Sequence, residues 1–470
     1  MQSTQPAQTL ERTQPLRASA PASRLQQYGP YAITLYLLAT TRWGSGLSLV
    51  GGPPYITDLV LIVLLADRAV AAAAHRSVAT GVESWVGILT TALLAWSLIL
   101  LMFGSISQNA LRDAAPYLYV ITVFLVRPPT ESSEGTTSRA LMAVLIFHAT
   151  WVTIAQLDPS LETSTPVVAA GTHLLSLRSD IDSLVCGLLA AIGLHRALSG
   201  RSPAYNLALA AWGSVLVFTF FNRAGLLAFI VELIVVALLA PARRRFIGSY
   251  DRRAVIAVLV MIVPILLVVA SQSQPVERLL GTVPGSNASS SELHGAAGTA
   301  NARLKAWKEL AVYIERDPTR EIRGVGFGPD FLHESGADVL LLGTAAAEQE
   351  DVRSPHNYLL GTWARLGLIG VILVLGLLIA GLRLARLVAK HAPHVRDDDV
   401  LAMLLVASIP VVAFVGVVLE SPFGALPYFW AIGHLSARAC QVGAVRPFGV
   451  ARGLLRPGEG GSNVLADRLL

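Results

Sequence analysis

What most constrains this chain is the recurrence of apolar runs long enough to cross a bilayer. A hydrocarbon core about 30 Å thick takes roughly 20 helical residues at about 1.5 Å each. In lipid a spanning segment must satisfy its own backbone groups, which restricts it to helices or closed barrels. Runs of this kind occupy residues 30–50, 55–74, 82–103, 113–127, 139–157, 181–198, 203–221, 224–241, 254–272, 357–385, 399–419 and 422–440. They predict an all-α, polytopic integral membrane protein of about twelve transmembrane helices. Composition agrees, because only 14% of the 470 residues are charged and mean hydropathy is +0.58, against about 25% charged residues in an ordinary soluble domain.

A net charge of +5 and a pI near 9.3 would suit a nucleic-acid binder. The cations, however, sit in the connections between apolar runs, where they report topology, so membrane lipids are expected as neighbours and nucleic acid is not. Arg243, Arg244, Arg245, Arg252 and Arg253 follow the eighth run, and Arg383, Arg386, Lys390 and Arg396 lie between the tenth and eleventh. Arg68 and Arg76, and Arg196 and Arg201, mark two more such loops, whereas the alternate connections carry single cations at Arg42, Arg112, Arg178 and Arg223. The positive-inside rule then puts both termini in the cytoplasm and residues 273–355 outside. The expected organisation is a disordered cytoplasmic tail (1–28), nine helices (29–272), the extracytoplasmic loop (273–355), three helices (356–440) and a second cytoplasmic tail (441–470). Cys186 and Cys440 lie in apolar runs and offer neither a disulfide framework nor a cysteine metal site.

The long loop carries eight Lys or Arg against twelve Asp or Glu, so it is no general polyanion-binding surface. Gly281 to Gly298 reads as a mobile segment rich in Ser, Gly and Ala. Thr299 to Pro318 reads as an amphipathic helix with Leu304, Trp307, Leu310, Ala311 and Ile314 on one face. Arg303 falls among those apolar residues and therefore calls for an anionic partner.

Several residues carry chemistry. His356 sits at the mouth of the tenth run, where an imidazole can accept a proton near neutral pH or simply cap the helix. Asp180-Ile-Asp182 has the spacing of a metal-sugar motif, with solvated loop charge as the plainer reading. Asp58 and Glu420 stand near membrane ends, as caps or catalysts. Gly324, Gly326 and Gly328 let backbone approach a phosphate, or form a tight turn. Glu232 and Arg365 each lie nine residues inward, from Arg223 and His356 respectively, hence both at about 13 Å depth. Because an unpaired intramembrane charge is costly, the two are expected to form a structural ion pair fixing the eighth helix against the tenth.

Three stretches together resemble the O-antigen ligase and polymerase family of bacterial envelope glycosyltransferases: His356-Asn357 with Leu360 and Gly367-Leu-Ile-Gly370; Arg223-Ala-Gly-Leu-Leu-Ala-Phe; and Arg303 with Trp307. The Gly324–Gly328 stretch falls in the expected place, and the likeness spans roughly residues 205–435. Asn222 stands where the family usually has Ser, and Arg365 where it often has an acid. The resemblance implies a GT-C-like membrane fold in the bacterial inner membrane and transfer of a glycan from a polyprenyl-diphosphate donor to a glycan, lipid or protein acceptor, as ligase or polymerase. It implies neither metal nor cofactor. It casts His356 as general base, Arg223 and Arg303 as diphosphate ligands, and Asn357, Arg353 and Gly326 as supporting residues. The competing class is a polytopic transporter or flippase. The absence of a duplicated half and the clustering of these residues on one membrane face weigh against it.

Overall fold

The computed structural model describes residues 24–45, 55–73, 81–127, 134–167, 173, 175–220, 222–239, 291–342 and 353–448. Among these the chain is helical, with isolated bridges only, at Glu83–Pro447 and Val167–His173. Where they are described the apolar runs are mainly helical; 113–127 is broken into Gln108–Leu118, a tighter turn at Tyr119–Ile121 and a four-residue helix Thr122–Leu125, and 254–272 lies outside the described residues. The principal helices are α1 (Arg24–Ser45), α2 (Ile56–Ala73), α3 (Ser84–Phe103), α4 (Gln108–Leu118), α5 (Glu134–Leu157), α6 (Ser179–Leu198), α7 (Pro203–Thr219), α8 (Arg223–Leu239), α9 (Ser291–Glu315), α10 (Pro318–Arg323), α11 (Tyr358–His391), α12 (Asp397–Val415) and α13 (Pro422–Gln441). Of these, α3, α5, α6, α11 and α12 are long and apolar enough to cross a membrane, and α7 is a shorter apolar helix. Helix α1 includes Arg24 to Tyr28 of the expected tail, where Gln26 is buried and bonds to Arg127 and the Asp67 carbonyl.

Helix α6 lies at the centre, buried without interruption from Ile181 to His195, and packs on α7, α8, α5 and α12. Helix α13 is likewise buried along nearly its whole length, against α12, α1 and α11. By contrast α3 turns Trp85, Ile88, Leu98, Met102 and Phe103 outward, as a lipid-facing helix does. At one end of the bundle the start of α12 is tied down by charge. Asp397 accepts from Arg201 and Ser138, Asp398 from Arg396, and Asp399 from His434 and Arg438. Asp398, Asp399 and His434 lie within ligand distance of one another, yet their oxygens already serve arginines and the imidazole, which makes the cluster a structural clamp.

The other end is shaped by a break in α11. Gly367 has φ 68° and ψ −170°, so the helix kinks there and releases the carbonyls around it. Three of them find donors outside the helix: Val325 N–H on Ala364 O (2.8 Å), Gly326 N–H on Arg365 O (3.0 Å) and Trp96 Nε1–H on Leu366 O (2.9 Å). Irregular backbone survives in a membrane protein only with such repair. The approach requires glycine, because a Cβ on Gly367 would lie 2.1 Å from the Ile322 carbonyl oxygen and one on Gly324 2.3 Å from that of Arg365. The Gly324–Gly328 stretch is thus a wrap around a helix kink. Of the two readings of these glycines, the turn is the one this geometry displays, with the Gly326 N–H bonded to the Arg365 carbonyl.

Helix α9 starts at Ser291, within the segment expected to be mobile. Its Ala306, Leu310 and Ile314 are buried with Phe331, Leu332, Ala337 and Ala364 in a small separate core. Leu304, expected on that face, is 58% exposed. The buried stripe runs through 306, 310 and 314, and residue 304 lies about 160° from 306.

Candidate functional site

The site is built on residues Arg353–Asn357, which lead into α11. Asn357 caps that helix, its Oδ1 accepting from Leu360 N–H (3.1 Å). His356 has φ 55°, one of three non-glycine residues with positive φ among those described. Such a conformation persists only where the surroundings impose it. Here His356 N–H donates to Ser354 Oγ (3.2 Å), Ser354 Oγ–H donates to Glu420 (2.9 Å), and Trp307 Nε1–H holds the Pro355 carbonyl (2.7 Å).

Beneath the loop lies a buried lattice of two guanidinium groups and two carboxylates. Arg353 donates to Asp113 (2.6 and 3.2 Å) and to the carbonyls of Gly328 (2.7 Å) and Pro329 (3.2 Å). Arg365 donates to Asp113 (3.3 Å), Glu420 (3.3 Å) and the Arg353 carbonyl (2.6 Å). Buried charges are tolerated when matched and hydrogen-bonded in this way. Arg353, expected as a supporting residue, is a member of this brace.

The expected Glu232–Arg365 pair is overturned. Arg365 is engaged by Asp113 and Glu420. Glu232 packs instead against α6, where a Cβ on Gly187 would lie 2.2 Å from its Oε2. Sequence distance sets depth along a helix and leaves its azimuth open, and α4 and the turn before α13 reach Arg365 first.

A second group of charges gathers beside His356. Arg303 lies one helical turn before Trp307, on the face that touches the loop, and its Nη1–H donates to the Val415 carbonyl at the end of α12 (3.1 Å). Arg178, just before α6, pairs with Asp180 (2.7 and 3.1 Å) and stands 5.2 Å over the Phe423 ring. A Cβ on Gly416 would be 3.4 Å from Asp180 Oδ2, so Asp180 and Arg303 reach neighbouring residues of one turn. Arg223 opens α8. Asn222 before it caps that helix through Gly225 N–H (3.0 Å) and donates to Ser179 Oγ (2.9 Å) in the first turn of α6. Asn and Ser are near-equivalent N-caps, which accounts for the departure at Asn222. Arg42, near the end of α1, lies in the field of Arg178 and Asp180. The structure thus places Arg223, Arg303 and His356 at the same end of the bundle and adds Arg178 and Arg42.

Electrostatics follow from this company. Burial, then the positive charges of Arg303 and Arg178, hold the His356 pKa down to about 4, with Asp180 opposing. The imidazole is therefore neutral near pH 7 and has a lone pair to accept a proton. Burial also lowers the pKa of Arg303, against the pull of Asp180. Asp180 and Asp182 are engaged separately, Asp180 by the Arg178 guanidinium and Asp182 by the Arg178 backbone N–H, with Asp182 3.7 Å from His148 in the interior. Asp58 receives Tyr55 N–H (2.9 Å) and the Tyr119 hydroxyl (2.6 Å).

Sequence reasoning missed Asp113, which is 240 residues from Arg353 and sits at the margin of an apolar run. It read Arg178 and Arg42 as topology markers. Their shared side of the membrane was the available signal.

Residues 208–375 match the family model for O-antigen ligase. The match takes in Arg223, Arg303, the glycine wrap, His356 and Arg365, agrees with the resemblance read from the sequence, and points to a glycan-transfer role in polysaccharide assembly. No curated protein matches the chain.

Proposed function

We propose that the protein transfers a glycan from a polyprenyl-diphosphate donor to an acceptor hydroxyl, on the extracytoplasmic face of the bacterial inner membrane. The observation that carries this reading is a strained, neutral histidine held beside several arginines, on a stretch that matches the O-antigen ligase family. The acceptor oxygen attacks the anomeric carbon of the donor sugar while an imidazole nitrogen of His356 takes its proton. The bond from that carbon to the diphosphate oxygen breaks, and the electron pair leaves with the polyprenyl diphosphate. Arg223 and Arg303 receive the developing negative charge as permanently protonated, forked donors. Arg353 and Arg365 stay in the brace beneath.

The same charges impose an order. In the empty site the cations weaken His356 as a base; a bound diphosphate offsets them and raises its basicity, so proton abstraction is favoured with the donor in place. The test is turnover by purified variants. His356→Ala is expected to lose about a hundredfold or more with donor binding retained, and Arg223→Ala and Arg303→Ala to lose donor use. Near-normal turnover in His356→Ala at normal abundance would remove the proposed base.

A further inference from the structure

Arg178 and Asp180 belong to this cluster, and the reaction as written uses neither. Their pairing is the side-on fork, Nε to Oδ1 at 2.7 Å and Nη2 to Oδ2 at 3.1 Å, which is the geometry in which a guanidinium also grips a phosphate. The pair is accessible, with the two side chains 23% and 13% exposed against 6% and 3% for Arg353 and Asp113. One pair is therefore able to open while the other is locked.

We infer that Asp180 is a built-in stand-in for the donor's phosphate: it occupies the Arg178 fork in the empty site and yields it when the diphosphate arrives, making Arg178 a further diphosphate-binding residue. The inference rests on the proposed function and specifies how that site accepts and releases its ligand.

Three features favour the exchange. The Arg178 main chain is fixed, because its N–H is held by Asp182, so the side chain turns about a stationary pivot. Phe423 supports the guanidinium face whichever anion lies at its edge. The neighbours that face the pair are Arg303 from α9, His356 from the α11 loop and Arg42 from α1, with Asp182 and Glu162 the further acids near Arg42. An arriving diphosphate therefore enters a field in which Asp180 is the main competitor for Arg178. The exchange never leaves the Arg178 guanidinium unpaired, and the displaced Asp180 keeps the Ile181 N–H (3.0 Å) and its share of exposure to solvent, which lowers the penalty of opening the pair. The same competition helps expel polyprenyl diphosphate after transfer.

The experiment measures binding of farnesyl diphosphate, with farnesyl monophosphate for comparison, to the full chain in detergent, and donor KM and kcat in the transfer assay. Asp180→Asn is expected to bind the diphosphate about tenfold more tightly, with lower donor KM and stronger product inhibition. Arg178→Gln is expected to bind about tenfold more weakly, with the loss in KM and little change in kcat, and Arg178→Lys to fall between; these shifts match a charge-assisted hydrogen bond gained or lost. The double variant should behave as Arg178→Gln, because Asp180 acts through Arg178. If wild type binds the diphosphate and Asp180→Asn binds it no better, or Arg178→Gln binds it as well, the inference fails and the proposed function stands. If wild type neither binds the diphosphate nor transfers, the function itself fails. Should Asp180→Asn not fold, Arg178→Lys decides: wild-type affinity in that variant overturns the fork.

Discussion

Replacing Asp113 with alanine separates the brace from the chemistry. The carboxylate accepts from Arg353 Nε and Nη2, from Arg365 Nη2 and from Gly328 N–H, and both guanidinium groups are at most 6% exposed. Removing one partner of a buried ion pair typically costs about 3–5 kcal/mol, because the survivor keeps its charge and loses its compensation. Arg365 retains Glu420, and Arg353 retains two carbonyls, so the expectation lies at the low end, about 3 kcal/mol. Unfolding in detergent, followed by denaturant or temperature, reads this directly. Asp113→Asn, which keeps acceptor capacity, should lose less. Asp113→Ala with Arg353→Met should cost less than the sum of the singles, with coupling of about 0.5–3 kcal/mol. Turnover should fall along with stability, since Ser354 and Pro355 stand on this lattice, while diphosphate binding persists at Arg223 and Arg303. Wild-type unfolding in Asp113→Ala, or strict additivity in the double variant, would refute the brace.

The pH profile gives a second check. At limiting donor, transfer should rise as pH climbs through about 4, where His356 in the empty site loses its proton, and be flat near neutrality. At saturating donor the rising limb should move to higher pH, because the diphosphate's charge favours the imidazolium, and coincident limbs would contradict that. At the kink, Gly367→Ala should lower stability by about 1–3 kcal/mol from backbone strain alone, and by more from the 2.1 Å approach to Ile322. Gly326→Ala should cost less, because nothing lies within 4 Å of its added Cβ. Equal melting of the two variants would refute the close approach.

The parts legible in the sequence were those with a local cause. Apolar runs give helices because lipid leaves the backbone no other partner, and the runs are mainly helical where they are described. Pro318 marked a helix boundary as a breaker does, whereas the cap of α11 is Asn357 where the sequence offered His356. What escaped was set by contacts distant in sequence. The kink at Gly367 depends on a loop some forty residues earlier supplying N–H groups. Equal depth made Glu232 a reasonable partner for Arg365, but which acids reach a guanidinium is decided by helix rotation and by α4, far away in the chain. Arg178 looked like a lone topology marker until folding set it beside Asp180 and Phe423.

The central claim is bond cleavage and transfer at the His356 site, and product accounting tests it most directly. Purified protein would be given a glycan on polyprenyl diphosphate together with candidate acceptors, and both glycosylated acceptor and free polyprenyl diphosphate would be quantified, in wild type and His356→Ala. The account predicts equal amounts of the two products in wild type and their joint loss in the variant. Donor moved intact across the membrane with no diphosphate released, or equal product formation with and without His356, would contradict it.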